Sequence, residues 1–319
     1  MGSLKDYRYH SVEILSEFDK TNNQLKFIRN NHFTNKVIDH RTKSKVTALT
    51  NSVIRLRGRI DFIIFDNAKI NYKKTNILII NILRISVYGL SFTVDPPTYA
   101  VVDSAVELAK KLTNSKGAGF VNAVLRKIVK KLNRSSDWKS KYRKEIEWNS
   151  VPTWLYKKWE KEYKETDLKI LLNEINKSPY VNLRFSPSEI NPNTILEELN
   201  KDAIRVEQNE IHNNFLKVKY DLRGLLTSKL FQSGKISLQD PAAGEVINLL
   251  NLKNNDIVID ACAGPGTKTL QIAQKLSDTG LVLASDISPK RVMMGERDVK
   301  RHKLTNIKWS VKDASKDSF

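Results

Sequence analysis

The residues of this chain with the clearest chemical promise lie in the stretch Ile257–Leu270, which reads IVIDACAGPGTKTL. Ile257, Val258 and Ile259 form a short continuous apolar run, the pattern of a strand buried on both faces, and Asp260 ends it. A turn of small residues follows (Ala261, Cys262, Ala263, Gly264, Pro265, Gly266), and Thr267–Leu276 has helical periodicity. Strand, glycine turn and helix N-terminus in that order aim backbone N–H groups and a positive dipole end at a polar ligand. Two common phosphate loops do not fit. Thr267 separates Gly266 from Lys268, where a P-loop needs Gly and Lys adjacent, and Thr269 stands where a dinucleotide fingerprint needs its third glycine. ATP and NAD are therefore poor candidates. The next predicted strand, Leu281–Ser285, leads into Asp286, roughly 20 residues past the turn, where a carboxylate can accept ribose hydroxyls. A third, Ile307–Val311, is followed by Asp313, placed to take an adenine amino group. Each acid alone also reads as a strand-end cap. Acids at the ends of three successive strands, beside a glycine turn, predict a site for the nucleoside moiety of S-adenosylmethionine.

The elements that must position this loop belong to a 319-residue chain with 54 Lys and Arg against 35 Asp and Glu, a formal charge of +19. Residues 1–140 hold 25 basic and 11 acidic side chains, and residues 141–319 hold 29 and 24. A uniform compositional bias would not concentrate the excess at one end, so nucleic acid is the partner the charge fits. The single cysteine, Cys262, excludes a disulfide-stapled fold and any zinc site built from several cysteines, and no metal is expected. Cys262 itself reads as a small packed residue of the turn. The longest apolar stretch, Ile77–Leu83, is interrupted by Asn81 and is far short of the ~20 residues that span a bilayer. The first residues lack the apolar core of a signal peptide. The expectation is a cytoplasmic monomer with no membrane contact.

The N-terminal part reads as all helix. Val46, Leu49, Val53, Leu56, Ile60 and Ile63 predict one apolar stripe on one helix, and Ile77–Val87 a central helix buried by its neighbours. Asp95-Pro96-Pro97 breaks the chain, Thr98 is a candidate cap for the next helix, and Gly117 and Gly119 mark a turn. A last helix turns Val121, Val124, Leu125 and Ile128 inward and Arg126, Lys127, Lys130 and Lys131 outward, a face that is either merely solvated or in contact with RNA. A second basic run comprises Arg41, Lys43, Lys45, Arg55, Arg57 and Arg59. Trp154 and Trp159 read as core anchors of a short helix, Tyr180–Phe185 as a strand and Thr194–Leu199 as a helix.

The sequence DACAGPGTKT resembles the cofactor loop of the RsmB/NOP family of RNA 5-methylcytosine methyltransferases, whose pattern is Asp-x-Cys-Ala-x-Pro-Gly-Gly-Lys-Thr. LFQSGKISLQDPAAGEVINLL is similar to that family's lead-in, with Gln239, Asp240, Ala242 and Ala243 matching. PTWLYKKWEKEY and PYVNLRFSPS are similar to its small domain, and VVDSAVELAKK and GAGFVNAVLRKIVKK resemble a NusB-like helical domain. The resemblance implies a multidomain protein: an all-α NusB-like RNA-binding domain over 1–140, a small α/β domain over 141–235, and over 236–319 the first half of an α/β Rossmann-like (class I) methyltransferase domain. It implies that Cys262, Ala263, Gly264, Pro265, Gly266, Thr267 and Lys268 line the cofactor S-adenosyl-L-methionine, with Asp286 at its ribose and Asp313 at its adenine. Thr267 stands where the family has glycine, so the loop must not need a positive φ there.

The implied reaction is methyl transfer to carbon 5 of a cytosine in 16S rRNA. It uses a cysteine that attacks carbon 6 of the flipped base and a second that assists release of the enzyme. Neither a Thr-Cys nor a Pro-Cys motif occurs here, so no catalytic residue is assigned. The expectation is a C-terminally truncated part of a longer methyltransferase, inactive alone, in which strand 257–260 is an exposed apolar edge. Two alternatives remain: a non-enzymatic NusB-like RNA-binding protein with a remnant methyltransferase domain, and a tRNA cytosine methyltransferase.

Overall fold

Capping residues and apolar periodicity account for most of the elements in the computed structural model, which describes residues 6–68, 70–72, 74–94, 97–133, 146–209, 212–219, 222–276 and 279–317. The chain forms two units, Met1–Ser178 and Pro179–Phe319, dividing within the 141–235 span.

The first unit runs α1 (Tyr7–Lys20), α2 (Leu25–Thr34), α3 (His40–Arg55), α4 (Arg57–Asn67), α5 (Ile77–Phe92), α6 (Thr98–Leu112) and α7 (Ser115–Leu132), then a 3-10 turn at Ile146–Asn149, α8 (Thr153–Glu162) and α9 (Glu165–Ile175). Asp6, Asp39 and Asn114 accept backbone N–H groups of the first turns of α1, α3 and α7, which satisfies donors that a helix start otherwise leaves open. Helix α5 is the centre, as its sequence predicts: Ile80, Ile82, Leu83, Ile85 and Val87 are all buried, against α1, α4, α6 and α7. Val12, Leu15, Val53, Ile60, Leu125 and Trp148 belong to the same core.

Four local expectations change. The stripe from Val46 to Ile63 lies on two helices, because the chain breaks at Leu56 before α4. The break brings Gly58 against the turn at 146–150, where a Cβ would lie 2.5 Å from the Glu147 carbonyl oxygen. Thr98 is the first helical residue rather than the cap, with Pro97 in the cap position; Asp95 and Pro96 lie outside the described residues. Gly117 and Gly119 lie inside α7, because the turn comes earlier, at Thr113 and Asn114. Trp154 is 68% exposed and α8 buries no residue, whereas Trp148, just upstream, is the tryptophan that enters the core.

Arg84 is the one charge inside α5, and it is fully buried. Its guanidinium donates to Asp61 at 2.7 and 2.9 Å, to Asp19 at 2.7 Å and to Asn81 at 3.0 Å, so the buried charge is paired and hydrogen-bonded.

The second unit holds two sheets. Strands β1 (Val181–Phe185), β2 (Val206–Gln208), β3 (Phe215–Val218) and β4 (Ile236–Leu238) form an antiparallel sheet in the order β2-β3-β1-β4, with α10 (Pro192–Lys201) contributing Ile195 and Leu199 to its core. After α11 (Leu222–Thr227), α12 (Lys229–Gln232) and α13 (Pro241–Asn248), the parallel strands β5 (Ile257–Asp260), β6 (Leu281–Asp286) and β7 (Ile307–Val311) alternate with α14 (Thr267–Leu276) and α15 (Pro289–His302). The order β5-β6-β7 leaves β5 with no partner on its outer side among the described residues. Ile257 is 69% and Ile259 51% exposed, so the apolar run is not buried on both faces and is an open edge. A buried polar seam joins the two sheets. Arg184 of β1 donates to Gln239 and to Gln274 of α14, both at 2.6 Å, and Gln239 donates to Gln271 at 2.6 Å.

Candidate functional site

The three parallel strands end at one edge, and the turn after β5 folds over the end of β6. Ala263 N–H donates to the Ser285 carbonyl at 2.8 Å and Gly266 N–H to the Ala263 carbonyl at 2.7 Å, which closes the turn before α14 begins. Gly264 N–H donates to Asp286 Oδ2 at 3.1 Å. A Cβ at Gly264 would lie 2.6 Å from that oxygen, so the approach requires glycine. Gly266 has φ +106°, the left-handed region. The positive φ thus falls on a glycine, and Thr267 begins α14 without one. Its departure from the family pattern costs the loop no backbone strain.

Asp286 is 4% exposed. Its Oδ1 accepts Ser288 N–H at 2.9 Å and its Oδ2 faces Arg291 Nη1 at 3.7 Å. An ionised carboxylate has about four acceptor positions. Two are filled by the backbone donors of Gly264 and Ser288, and the Arg291 guanidinium lies beside Oδ2. Asp260 accepts the Thr269 hydroxyl, in the first turn of α14, at 2.7 Å, which ties the helix start to the strand end.

Asp313 stands two residues past β7, whose last residue, Val311, pairs with Asp286. Its carboxylate accepts the Ser315 hydroxyl at 2.7 Å and the Ser315 N–H at 3.0 Å, with Lys316 at 3.3 Å. The Ser315 hydroxyl, then its N–H, hold the Asp313 carboxyl below the usual carboxylate range. Ala263 and Gly266 are buried and Thr267 is half-buried, whereas Pro265 and Lys268 are exposed. Cys262 is exposed too, not packed, because the turn hangs from the open edge strand.

Sequence reasoning did not single out Trp309 or Arg291. The indole of Trp309 lies under the turn, where a Cβ on Gly266 would come within 2.9 Å of its ring, and its buried Nε1 has no hydrogen-bond partner among the described residues. The run Ile307–Val311 marks the strand but not which residue of it meets the loop.

Of the four basic residues proposed on α7, Arg126, Lys127 and Lys130 are exposed on one side of the helix. Lys131 is instead half-buried in an ion pair with Asp66 of α4. Much of the second basic run is also engaged internally. Arg57 pairs with Asp19 at 2.5 Å, Arg59 donates to the Trp148 carbonyl at 2.6 Å, and Lys43 and Lys45 lie over the rings of Phe33 and Tyr7.

Three family models match in succession: NusB family over residues 5–130, the ferredoxin-like domain of RsmF/B-like methyltransferases over 151–222, and 16S rRNA methyltransferase RsmB/F over 247–318. A probable ribosomal RNA small subunit methyltransferase B of Bacillus subtilis is 29% identical over 240 residues, 75% of this chain and 53% of that protein. A probable enzyme of the same name from Synechocystis is 24% identical over 228 residues, covering 71% of this chain and 51% of its own length. The chain therefore spans about half the length of these relatives. The crystal structure of PH0851 superposes on 98% of this chain and 70% of its own, with a TM-score of 0.65 at 22% identity, a likeness of fold.

Proposed function

We propose that this chain, which joins a NusB domain to the ferredoxin-like and methyltransferase domains of the RsmB/F type, is the RNA-docking and cofactor-binding part of an enzyme that methylates carbon 5 of a cytosine in 16S rRNA. The observation that carries the reading is the buried Asp286 carboxylate, held by the Gly264 and Ser288 amides at the tip of the middle strand. A carboxylate so placed suits a ribose diol. The turn Cys262–Lys268 would hold the rest of S-adenosyl-L-methionine, with the N–H groups at the start of α14 toward its carboxylate, and Asp313 would serve the adenine end. The bound cofactor supplies an electrophilic methyl group. The exposed cations Arg126, Lys127 and Lys130 would meet the RNA backbone, whereas Lys131 beside them is engaged by Asp66.

We assign no nucleophile to residues 1–319: the single cysteine, Cys262, belongs to the cofactor turn. Domain limits of 1–140, 141–235 and 236–319, a cytoplasmic location and a monomeric state complete the reading. Calorimetry with S-adenosylmethionine tests it. Binding by the chain, weakened more than tenfold in Asp286→Ala, is expected, about the loss of one charge-assisted hydrogen bond. A folded full-length version that binds no cofactor would instead support the non-enzymatic RNA-binding alternative.

A further inference from the structure

The first two helices bring three metal-ligating side chains together, far in sequence from the cofactor turn. His10 and Glu13 are three residues apart on α1, which places them on one face, and His32 of α2 meets them there. His10 Nδ1 and His32 Nε2 are 3.0 Å apart, His32 Nε2 is 3.9 Å from Glu13 Oε2, and the three ligand atoms all lie within 4.8 Å of one another. Among the described residues no other group of three His, Cys, Asp or Glu side chains converges in this way.

We propose that His10, Glu13 and His32 form a site for a divalent transition-metal cation, with Zn2+ the occupant its donor set fits best. Two imidazole nitrogens and one carboxylate form a recurring zinc set that leaves a fourth position for water, whereas calcium and magnesium take all-oxygen sites. Zn–N bonds of about 2.0–2.1 Å in a tetrahedron put neighbouring ligand atoms roughly 3.3 Å apart. The two nitrogens are already near that spacing, and Glu13 has to close by a side-chain rotation. Both histidines are packed inside the helix pair, His10 at 1% exposure. Tyr9 OH donates to the other Glu13 oxygen at 2.9 Å and so steers the carboxylate, the part an outer partner plays in a metal site. The cysteine count, which excluded cysteine-built zinc sites, does not bear on a site made of histidine and glutamate.

Glu13 already has a cation. Lys36 Nζ lies 2.5 Å from Glu13 Oε2, and its side chain is about one-third exposed, so it can swing into water when a divalent ion takes the carboxylate. Lys36 is thus a built-in competitor, and Lys111, over the Tyr9 ring, adds a positive charge nearby. This yields a signature that surface binding would lack: removing a lysine should tighten metal binding.

The test is titration of the metal-stripped full chain with Zn2+ against a chromophoric chelator, with Co2+ absorption as a second probe and circular dichroism to confirm folding. One equivalent is expected to bind, at least tenfold more weakly in His32→Gln and at least threefold more tightly in Lys36→Met. Because Lys36 is partly exposed, its variant stays informative even if His32→Gln does not fold. Failure of both the natural chain and Lys36→Met to bind an equivalent would overturn the proposal and leave a hydrogen-bonded imidazole pair with Lys36 as its permanent counter-cation. Binding that neither substitution changes would overturn it equally, by placing the ion elsewhere.

Discussion

Asp286 is committed to its own loop before any ligand arrives, and this sets what its substitutions should do. Asp286→Ala removes the acceptor for Gly264 and Ser288 as well as the one proposed for a ribose, so it should loosen the turn and weaken cofactor binding together. Gly264→Ala keeps the carboxylate but drives a methyl group into it, and should also weaken S-adenosylmethionine more than tenfold in calorimetry. Thr267→Gly should change affinity less than threefold, since Thr267 has no positive φ to relieve. The run from Asp260 to Lys268 was legible because an apolar strand, glycines and a helix start are local patterns. Trp309 and Arg291 were not: register between strands separated by a helix brings in Trp309, and the first turn of α15 carries Arg291 to Asp286. His302 gives a separate titration. Arg301 can only donate, so the nitrogen it meets at 2.9 Å, Nε2, carries no proton in the folded chain. Burial first, then the charges of Arg301 and Arg184, push this imidazole down to about 3. An unfolded histidine takes its proton near 6.5, so between about 6.5 and 3 the unfolded chain binds a proton that the folded one refuses. Stability should therefore be flat above that window and fall as pH drops through it. A denaturant series should show a shallower acid slope in His302→Gln.

At the scale of elements, periodicity placed the helices while burial assigned their roles. The stripe Val46–Ile63 is real but is shared by α3 and α4, because the close pass of the 146–150 turn at Gly58 demands a break that spacing alone cannot reveal. Helix α5 shows the reverse: its near-continuous apolar run announces a central helix, while Arg84 within it finds Asp19 and Asp61 only in three dimensions. Arg84→Met would leave two carboxylates without their buried cation, and chemical denaturation should show a loss of about 3–5 kcal/mol. On α7 the exposed and paired cations should separate in an RNA titration. Arg126→Ala, Lys127→Ala and Lys130→Ala combined should lower the slope of log affinity against log salt by roughly 2–3, whereas Lys131→Ala, which loses its Asp66 ion pair, should leave it nearly unchanged. An unaltered slope in the triple variant would move RNA contact to another face.

Across the whole molecule, a formal charge of +19 with its excess in the first 140 residues predicts RNA affinity that falls steeply with salt, whatever the sequence bound. That asymmetry is legible at once in the composition. The polar seam of Arg184, Gln239, Gln271 and Gln274 between the two sheets is not, because those residues come from three separate stretches of chain. The open edge at β5 has a kinetic consequence. Among the described residues strand β6 is hydrogen-bonded on both sides and β5 on one, so amide hydrogens along β5 should exchange with deuterium ahead of those on β6. The turn proposed to hold the cofactor begins where β5 ends, so the corner to which that ligand is assigned is also where local opening costs least. A bound ligand should return the favour by slowing exchange there first, and the rise in protection, read residue by residue, would trace its footprint.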